Sequence, residues 1–107
     1  MMYYDFDAGN NTYQLRLNTK AIITLEKKLN KNPILVFINP ENKNTPTLEE
    51  MVTILEVALK DQHPEADVYK VFDEWLADGH IVGEFSKIII DLYKLCGLFK
   101  KDDEEKN

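Results

Sequence analysis

The chain has 107 residues, a net charge of −6 and 44% apolar residues, which together describe one globular domain rather than two. A single cysteine, Cys96, excludes an internal disulfide, a secreted cystine scaffold and a zinc site built from several thiolates. The first residues lack a basic segment followed by an apolar one, and the longest apolar run, residues 34–38, is too short to cross a bilayer. We therefore expect a cytoplasmic protein without a signal peptide or a membrane partner.

Charge is distributed unevenly along the chain. Residues 1–46 carry six basic and four acidic side chains, whereas residues 47–80 carry two basic and nine acidic ones. Such an excess of carboxylates repels the phosphates of nucleic acid, so no nucleic-acid partner is expected. The acidic segment is either an ordinary solvated surface or a surface that attracts a basic partner protein.

Two stretches of alternating polar and apolar residues predict an N-terminal β-hairpin. Met2, Tyr4 and Phe6 share one side of the first stretch, residues 2–7, and residues 12–18 alternate in the same way. Between the two stretches lie an alanine, a glycine and two asparagines, of which glycine and asparagine tolerate the positive φ of a tight turn. An isolated hairpin is only marginally stable in water, so its apolar face must pack on other elements.

The next predicted elements are one long and one short helix. Asn18 or Thr19 can cap the long helix, which runs to about Asn30, and asparagine is a suitable left-handed residue to end it. The apolar residues 33–38 fit either a buried strand or one to two helical turns. A short helix is favoured because Pro33 suits a first helical position.

Three further helices are predicted in the second half of the chain. Thr47 and Glu50 have the spacing of a capping box, which opens a helix to about residue 60. Later helices are expected over about residues 65–78 and 81–96, closed by Gly79 and Gly97 respectively. Their core-facing residues are predicted from the spacing of apolar positions: Leu48, Met51, Leu55, Ala58 and Leu59, then Val68, Val71, Phe72, Trp75 and Leu76, then Val82, Phe85, Ile88, Ile89, Leu92 and Leu95.

The sequence thus predicts an α+β fold, in which the hairpin packs on a small bundle of four main helices and one short helix. Residues 1–99 form a single domain in this interpretation. Residues 100–107 are expected to be a charged, disordered tail, because they are almost entirely polar.

No combination of residues predicts catalysis, a cofactor or a metal ion. His63 and His80 are expected in a loop and at a helix entry, without a nucleophile or third ligand at a defined spacing. Adjacent carboxylates, such as Glu49 and Glu50, point about 100° apart on a helix and do not converge on one substrate atom. Cys96 ends an apolar stripe and is expected to act as a small apolar side chain. We therefore predict a protein that is not an enzyme.

Three predicted helices carry an apolar residue on a second face. Ile23, Val57 and Ile90 lie about 120–140° from the centres of their own apolar stripes. Either these helices are packed on both sides, or the residues form a docking surface for other proteins or other copies of this chain. Leu98 and Phe99, beyond the last helix, add to the second alternative, and these five residues are the candidate partner contacts.

The order of these elements resembles the small tail assembly chaperones of long-tailed bacteriophages and prophages of Gram-positive bacteria. The resemblance covers nearly the whole chain. Asn30 and its neighbours stand where a glycine is expected in that family, and asparagine can supply the same backbone conformation. The resemblance is carried by the hairpin exit and first helix (residues 13–21 and 25–29), the apolar turn (33–38), the capped helix start (46–50) and the last helix with its exit (88–101).

Membership of that family implies a binding protein without catalytic activity. Such proteins bind the tape-measure protein and keep its apolar helical segments soluble, help to recruit tail-tube subunits, and are absent from the finished virion. Two other functions stay open: a structural tail or head–tail component that is retained in the virion, and a small adaptor that binds a host protein.

Overall fold

The computed structural model describes residues 2–101, except for the side chain of Asn42. These residues form an antiparallel hairpin followed by four α-helices, so the predicted α+β fold is confirmed. The predicted tail lies mostly outside the described residues; Lys100 and Lys101 have neither helical nor strand structure. The elements are β1 (Tyr4–Ala8), β2 (Asn11–Leu15), α1 (Thr19–Leu29), α2 (Leu48–Leu59), α3 (Val68–Ala77) and α4 (Phe85–Cys96), with 3-10 helices at Pro33–Phe37, Pro40–Asn42 and Val82–Glu84.

The hairpin closes through a two-residue turn that requires its glycine. Gly9 has φ of 62°, and the flanking residues Ala8 and Asn11 are directly opposite each other in the register. Alternate residues of β1 face in opposite directions, so Phe6 is buried while Asp5 and Asp7 are exposed. One face of the hairpin therefore packs on the helices, and the other is polar and solvated.

Aromatic rings join the hairpin to α3 and α4. The Phe6 ring lies 6.0 Å from Trp75 and 5.8 Å from Phe85, measured between ring centroids. Phe72 lies 5.5 Å from Trp75 and 5.2 Å from Phe85, so the four rings form one buried cluster. Burial of four large rings is a major source of stability in a domain of this size.

The predicted caps of α1 and α2 are confirmed. The Asn18 side chain accepts a hydrogen bond from the N–H of Ala21 at 2.9 Å, and Asn30 ends α1 in the left-handed conformation. In α2, the Thr47 hydroxyl accepts from the N–H of Glu50, whose carboxylate accepts from the N–H of Thr47. The short helix after α1 is also confirmed: residues Pro33–Phe37 form a 3-10 helix.

Helices α3 and α4 begin later than predicted. The side chain of Asp67 accepts hydrogen bonds from the N–H groups of Tyr69 and Lys70, so Asp67 is the cap and residues 65–66 precede the helix. Residues 82–84 form a separate 3-10 turn, and α4 begins at Phe85. Gly79 and Gly97 follow α3 and α4 with positive φ, as predicted.

Most predicted core residues are buried, with two clear exceptions at helix starts. Leu48 is 52% exposed because it is the first residue of α2 and borders a surface hollow with loop residues Glu41 and Lys43. Val82 is also exposed, because it lies in the 3-10 turn and does not follow the periodicity of α4. Conversely, Tyr93 is fully buried although it was not among the predicted core residues. Its hydroxyl donates a hydrogen bond to the carbonyl of Pro33 at 3.1 Å.

Candidate partner-binding surfaces

The two histidines are held in contacts between elements. His63 accepts a hydrogen bond at Nε2 from the N–H of Gln14 at 3.0 Å, and its ring meets Tyr13 edge-on at 5.1 Å. The His80 ring stacks on Trp75 at 4.6 Å, and its Nδ1 lies 3.1 Å from a carboxylate oxygen of Glu84. Over residues 2–101, no three histidine, cysteine, aspartate or glutamate side chains are grouped so as to hold a metal ion.

Cys96 is half-buried near the end of α4. Its thiol lies 3.5 Å from the carbonyl oxygen of Tyr93, to which it can donate a weak hydrogen bond. Burial raises the pKa of the thiol, and two backbone hydrogen bonds oppose that shift only in part. The thiolate, which is the nucleophilic form, is therefore disfavoured at this position.

The five predicted contact residues lie in different environments. Ile23 is 48% exposed on the side of α1 opposite the buried Leu25, whereas Val57 is 5% exposed. Ile90 and Leu98 are half-buried. Packing on two sides therefore accounts for Val57, and of the five only Ile23 presents a largely open side chain; whether any of them contacts a partner stays a prediction.

Phe99 packs back onto the domain after α4 ends. Its ring lies 5.7 Å from Phe37 and 5.4 Å from Tyr93, measured between centroids. The N–H groups of Leu98 and Phe99 both reach the carbonyl of Tyr93, at 2.9 and 3.2 Å. These contacts fold the exit of α4 against the 3-10 helix Pro33–Phe37, so Phe99 contributes to the fold of the monomer.

A groove of about 240 Å³ lies between α1 and α2. Ala21 and the nearly buried Val57 are its apolar residues, and an ion pair between Lys28 and Glu56, with 3.8 Å between nitrogen and oxygen, joins its two walls. The groove is lined by Asn18, Lys20, Ala21, Thr24, Lys28, Glu56, Val57, Lys60 and Asp61. It can accept an apolar side chain, with charges of both signs around the opening.

A second, larger cleft of about 490 Å³ runs between β1 and α4. Four residues of the helical side, spaced as one face of a helix, border it: Glu84, Lys87, Ile88 and Asp91. The rest of the cleft is lined by residues of β1, of α3 and of the segment after α3: Tyr4, Asp5, Phe6, Asp7, Trp75 and His80. The cleft therefore combines aromatic and aliphatic surface with four carboxylates.

The electrostatic character of this cleft is negative. Its lysine, Lys87, lies 3.4 Å from the carboxylate of Asp91 and so compensates one acid. Burial, followed by the charges of Asp91 and Asp7, raises the pKa of the Tyr4 hydroxyl above its usual value. A cation is favoured in such surroundings, and a second anion is not.

The sequence predictions did not include the carboxylates of this cleft as candidate residues. A signal was present, because Asp5 and Asp7 occupy the polar side of the first predicted strand. Their significance depends on Glu84 and Asp91 lying beside β1, and no local pattern brings residues so distant in sequence together.

Within residues 2–101, no helix combines the length and apolar character needed to cross a membrane. Comparison of the chain with protein-family models, with curated proteins and with solved structures found no match.

Proposed function

We propose that this protein is a tail assembly chaperone of a phage or prophage, which binds the tape-measure protein during tail assembly and has no catalytic activity. The order of hairpin, helices and caps supports this proposal through the family resemblance described above. Tail-tube subunits are the second proposed partner. The proposed place of action is the bacterial cytoplasm.

The observation that carries the proposal is the groove between α1 and α2. A client helix can place an apolar side chain in this groove against Ala21 while its polar residues contact Lys28 and Glu56 at the rim. Burying one or two such side chains contributes about 2–6 kcal/mol before the cost of association is subtracted. The resulting binding is weak and reversible, as a chaperone that must release its client requires.

Exposed apolar residues outside the groove provide further contact surface. Ile23 lies on the outer side of α1, and Ile38, after the first 3-10 helix, is 66% exposed. Lys20, Glu26 and Lys27 lie within one helical turn of Ile23, and such charges favour the solubility of the free protein. Self-association through Ile23 is a competing use of the same surface.

Co-expression with the tape-measure protein encoded nearby tests the proposal. We expect the tape-measure protein to stay soluble with this chain and to precipitate without it. Thr24→Lys places a charge in the groove and should abolish the effect, whereas Ile23→Lys tests the outer side of α1. Asn10→Lys, which adds the same charge at the hairpin turn, is the matched control.

Equal precipitation with and without this chain would contradict the chaperone function. The structural alternative is tested by mass spectrometry of purified virions, where a stoichiometric amount of this chain would favour a retained component. Pull-down of a host protein, with no effect on the tape-measure protein, would favour the adaptor alternative.

A further inference from the structure

We propose that the open edge of β1 binds an extended, basic segment of a partner protein, which joins the hairpin as a third strand beside α4. Such binding requires neither the groove between α1 and α2 nor the tape-measure protein. It uses the cleft that holds Asp5, Asp7, Glu84 and Asp91.

The register of the hairpin shows which main-chain groups are available. Ala8 and Asn11 flank a two-residue turn, so they form a hydrogen-bonded pair, and the next such pair is Phe6 with Tyr13. The intervening residues Asp5 and Asp7 therefore direct their N–H and C=O groups away from β2. Among residues 2–101, none donates to or accepts from these main-chain groups.

Two N–H groups on the other edge of the hairpin have partners, in agreement with this alternation. The N–H of Gln14, opposite Asp5, donates to His63, and the N–H of Arg16 donates to the carbonyl of Ala58 at 3.1 Å. The C-terminal end of the β2 edge is thus bonded to the end of α2 and to the loop after it. The β1 edge instead faces the cleft.

The dimensions of the cleft suit a short strand. From Glu84 to Asp91 the α4 side of the cleft spans seven residue steps, about 10 Å along a helix. The two residue steps from Asp5 to Asp7 extend over about 7 Å, so a strand paired with both residues fits within this length. A strand added next to β1 would sit about 4.8 Å from it, between β1 and this face of α4.

The negative charge of the cleft favours a basic partner segment. Pairing of β1 with β1 of a second copy would place Asp5 and Asp7 among identical carboxylates, which is unfavourable. The acidic residues 102–105 of this chain are repelled for the same reason. A partner with lysine or arginine opposite Asp5 and Asp7 forms favourable cross-strand pairs instead.

The two faces of the hairpin predict an alternating sequence in the partner segment. Side chains opposite Asp5 and Asp7 lie on the exposed face and are expected to be basic. The intervening side chains point to the same face as Tyr4 and Phe6, towards Ile88 of α4, and are expected to be apolar.

The test uses a capped seven-residue peptide of alternating lysine and valine, titrated into isotope-labelled protein at low salt. We expect saturable shifts of the amide signals of Asp5, Asp7 and Ile88. In the free protein, the amides of Asp5 and Asp7 should exchange with solvent faster than that of Phe6, and the peptide should slow both. Absence of saturable binding up to about 1 mM peptide would overturn the proposal.

Peptides methylated at alternate backbone nitrogens separate strand addition from simple charge attraction. Methylation of the nitrogens that face β1 should abolish binding, whereas methylation of the other set should leave it nearly unchanged. Equal binding of both methylated peptides would show that only charge is involved and would overturn the proposal. A glutamate–valine peptide should not bind.

Protein variants test the carboxylates. Asp5→Asn with Asp7→Asn should weaken binding of the lysine–valine peptide by roughly two- to thirtyfold. Glu65→Gln with Asp73→Asn removes the same charge from exposed residues outside the cleft, and should leave binding within about twofold. Equal weakening in both double variants would assign the attraction to net charge and contradict a specific site at β1.

Discussion

The two edges of the hairpin differ in how their main-chain groups are satisfied. On the β2 edge, the N–H groups of Gln14 and Arg16 bond to His63 and to the carbonyl of Ala58. On the β1 edge, the groups of Asp5 and Asp7 have no partner among the described residues. One edge is bonded at its C-terminal end to the end of α2 and the loop after it, and the other is available to another chain.

The charged residues follow the same division. On the side of α1 and α2, two ion pairs join neighbouring elements: Lys31 with Glu50 at 2.6 Å and Lys28 with Glu56. On the side of β1, the pairs Lys87–Asp91 and His80–Glu84 each join residues four apart in sequence, and Asp5 has no ion pair with any of residues 2–101. Ion pairs thus join different elements on the side of α1 and α2, whereas on the side of β1 the aromatic cluster joins the hairpin to α3 and α4.

The largest expected effect is loss of that aromatic support. Phe85→Ala removes the ring that contacts Phe6, Phe72 and Trp75, and should lower the free energy of unfolding by about 3–5 kcal/mol in urea denaturation. Ile88→Ala, at a half-buried position in the cleft, should cost less. Similar losses in the two variants would show that the aromatic cluster is not the main support.

The next largest effect is expected for the ion pair between Lys31 and Glu50, on the side of α1 and α2. Glu50→Ala removes the acceptor for the N–H of Thr47 and the partner of Lys31, and should cost about 1–2 kcal/mol in the same measurement. Glu49→Ala, exposed on the same helical turn, should change stability by less than about 0.5 kcal/mol. A cost for Glu50→Ala no larger than this control would contradict a role of the pair in closing that side.

Acid titration separates paired from unpaired carboxylates. Burial tends to raise the pKa of Glu50, but hydrogen bonds from Lys31 and Thr47 and the Lys31 charge hold it below its usual value of 4.5. The stabilisation is therefore present above pH 4.5 and is lost as the pH falls through the lowered pKa of the folded state. Glu50→Gln should flatten this part of the stability curve, and an unchanged curve would assign the decline to other acids.

A smaller effect is expected when the hydrogen bond between the β2 edge and His63 is removed. His63→Ala leaves the N–H of Gln14 to water and removes the edge contact with Tyr13, at a cost of about 1 kcal/mol. The amide of Gln14 should also exchange faster with solvent. Gln14→Ala keeps the main-chain N–H and should leave stability nearly unchanged, so a large loss in this control would point to the side chain instead.

The smallest effect is expected at the open edge. Asp5→Asn with Asp7→Asn should change the free energy of unfolding by less than about 0.5 kcal/mol, because asparagine can still accept from Thr12 and the Asp5 side chain has no partner among residues 2–101. Thermal unfolding measures this. A loss above about 1 kcal/mol would mean that these carboxylates stabilise the monomer, and that the two edges are less different than the geometry indicates.

Local signals predicted the elements well where a cap or turn encodes its own geometry. The turn at Gly9, the caps Asn18 and Thr47, and the left-handed Asn30 each depend on residues close in sequence. The start of α3 was misplaced because Asp67, rather than an earlier residue, satisfies the free N–H groups. Capping choices of this kind involve small energy differences between neighbouring positions.

The candidate surfaces were less predictable than the elements. Periodicity identified Ile23 and Val57 as apolar residues away from their stripes, but only the packing of α1 on α2 made one exposed and the other buried. The cleft beside β1 was not predicted, because it requires α4 to lie along a strand from the other end of the chain.

The amino-acid sequence by itself determined the hairpin, the helices and the alternation that places Asp5 and Asp7 on a polar strand face, since these follow from local backbone preferences and spacing. Tertiary structure alone decided that the end of α2 and the following loop bond to the C-terminal end of the β2 edge, while the β1 edge stays open beside Glu84 and Asp91. Which edge is covered depends on contacts between residues far apart in sequence, and their free energies are not encoded in any local pattern.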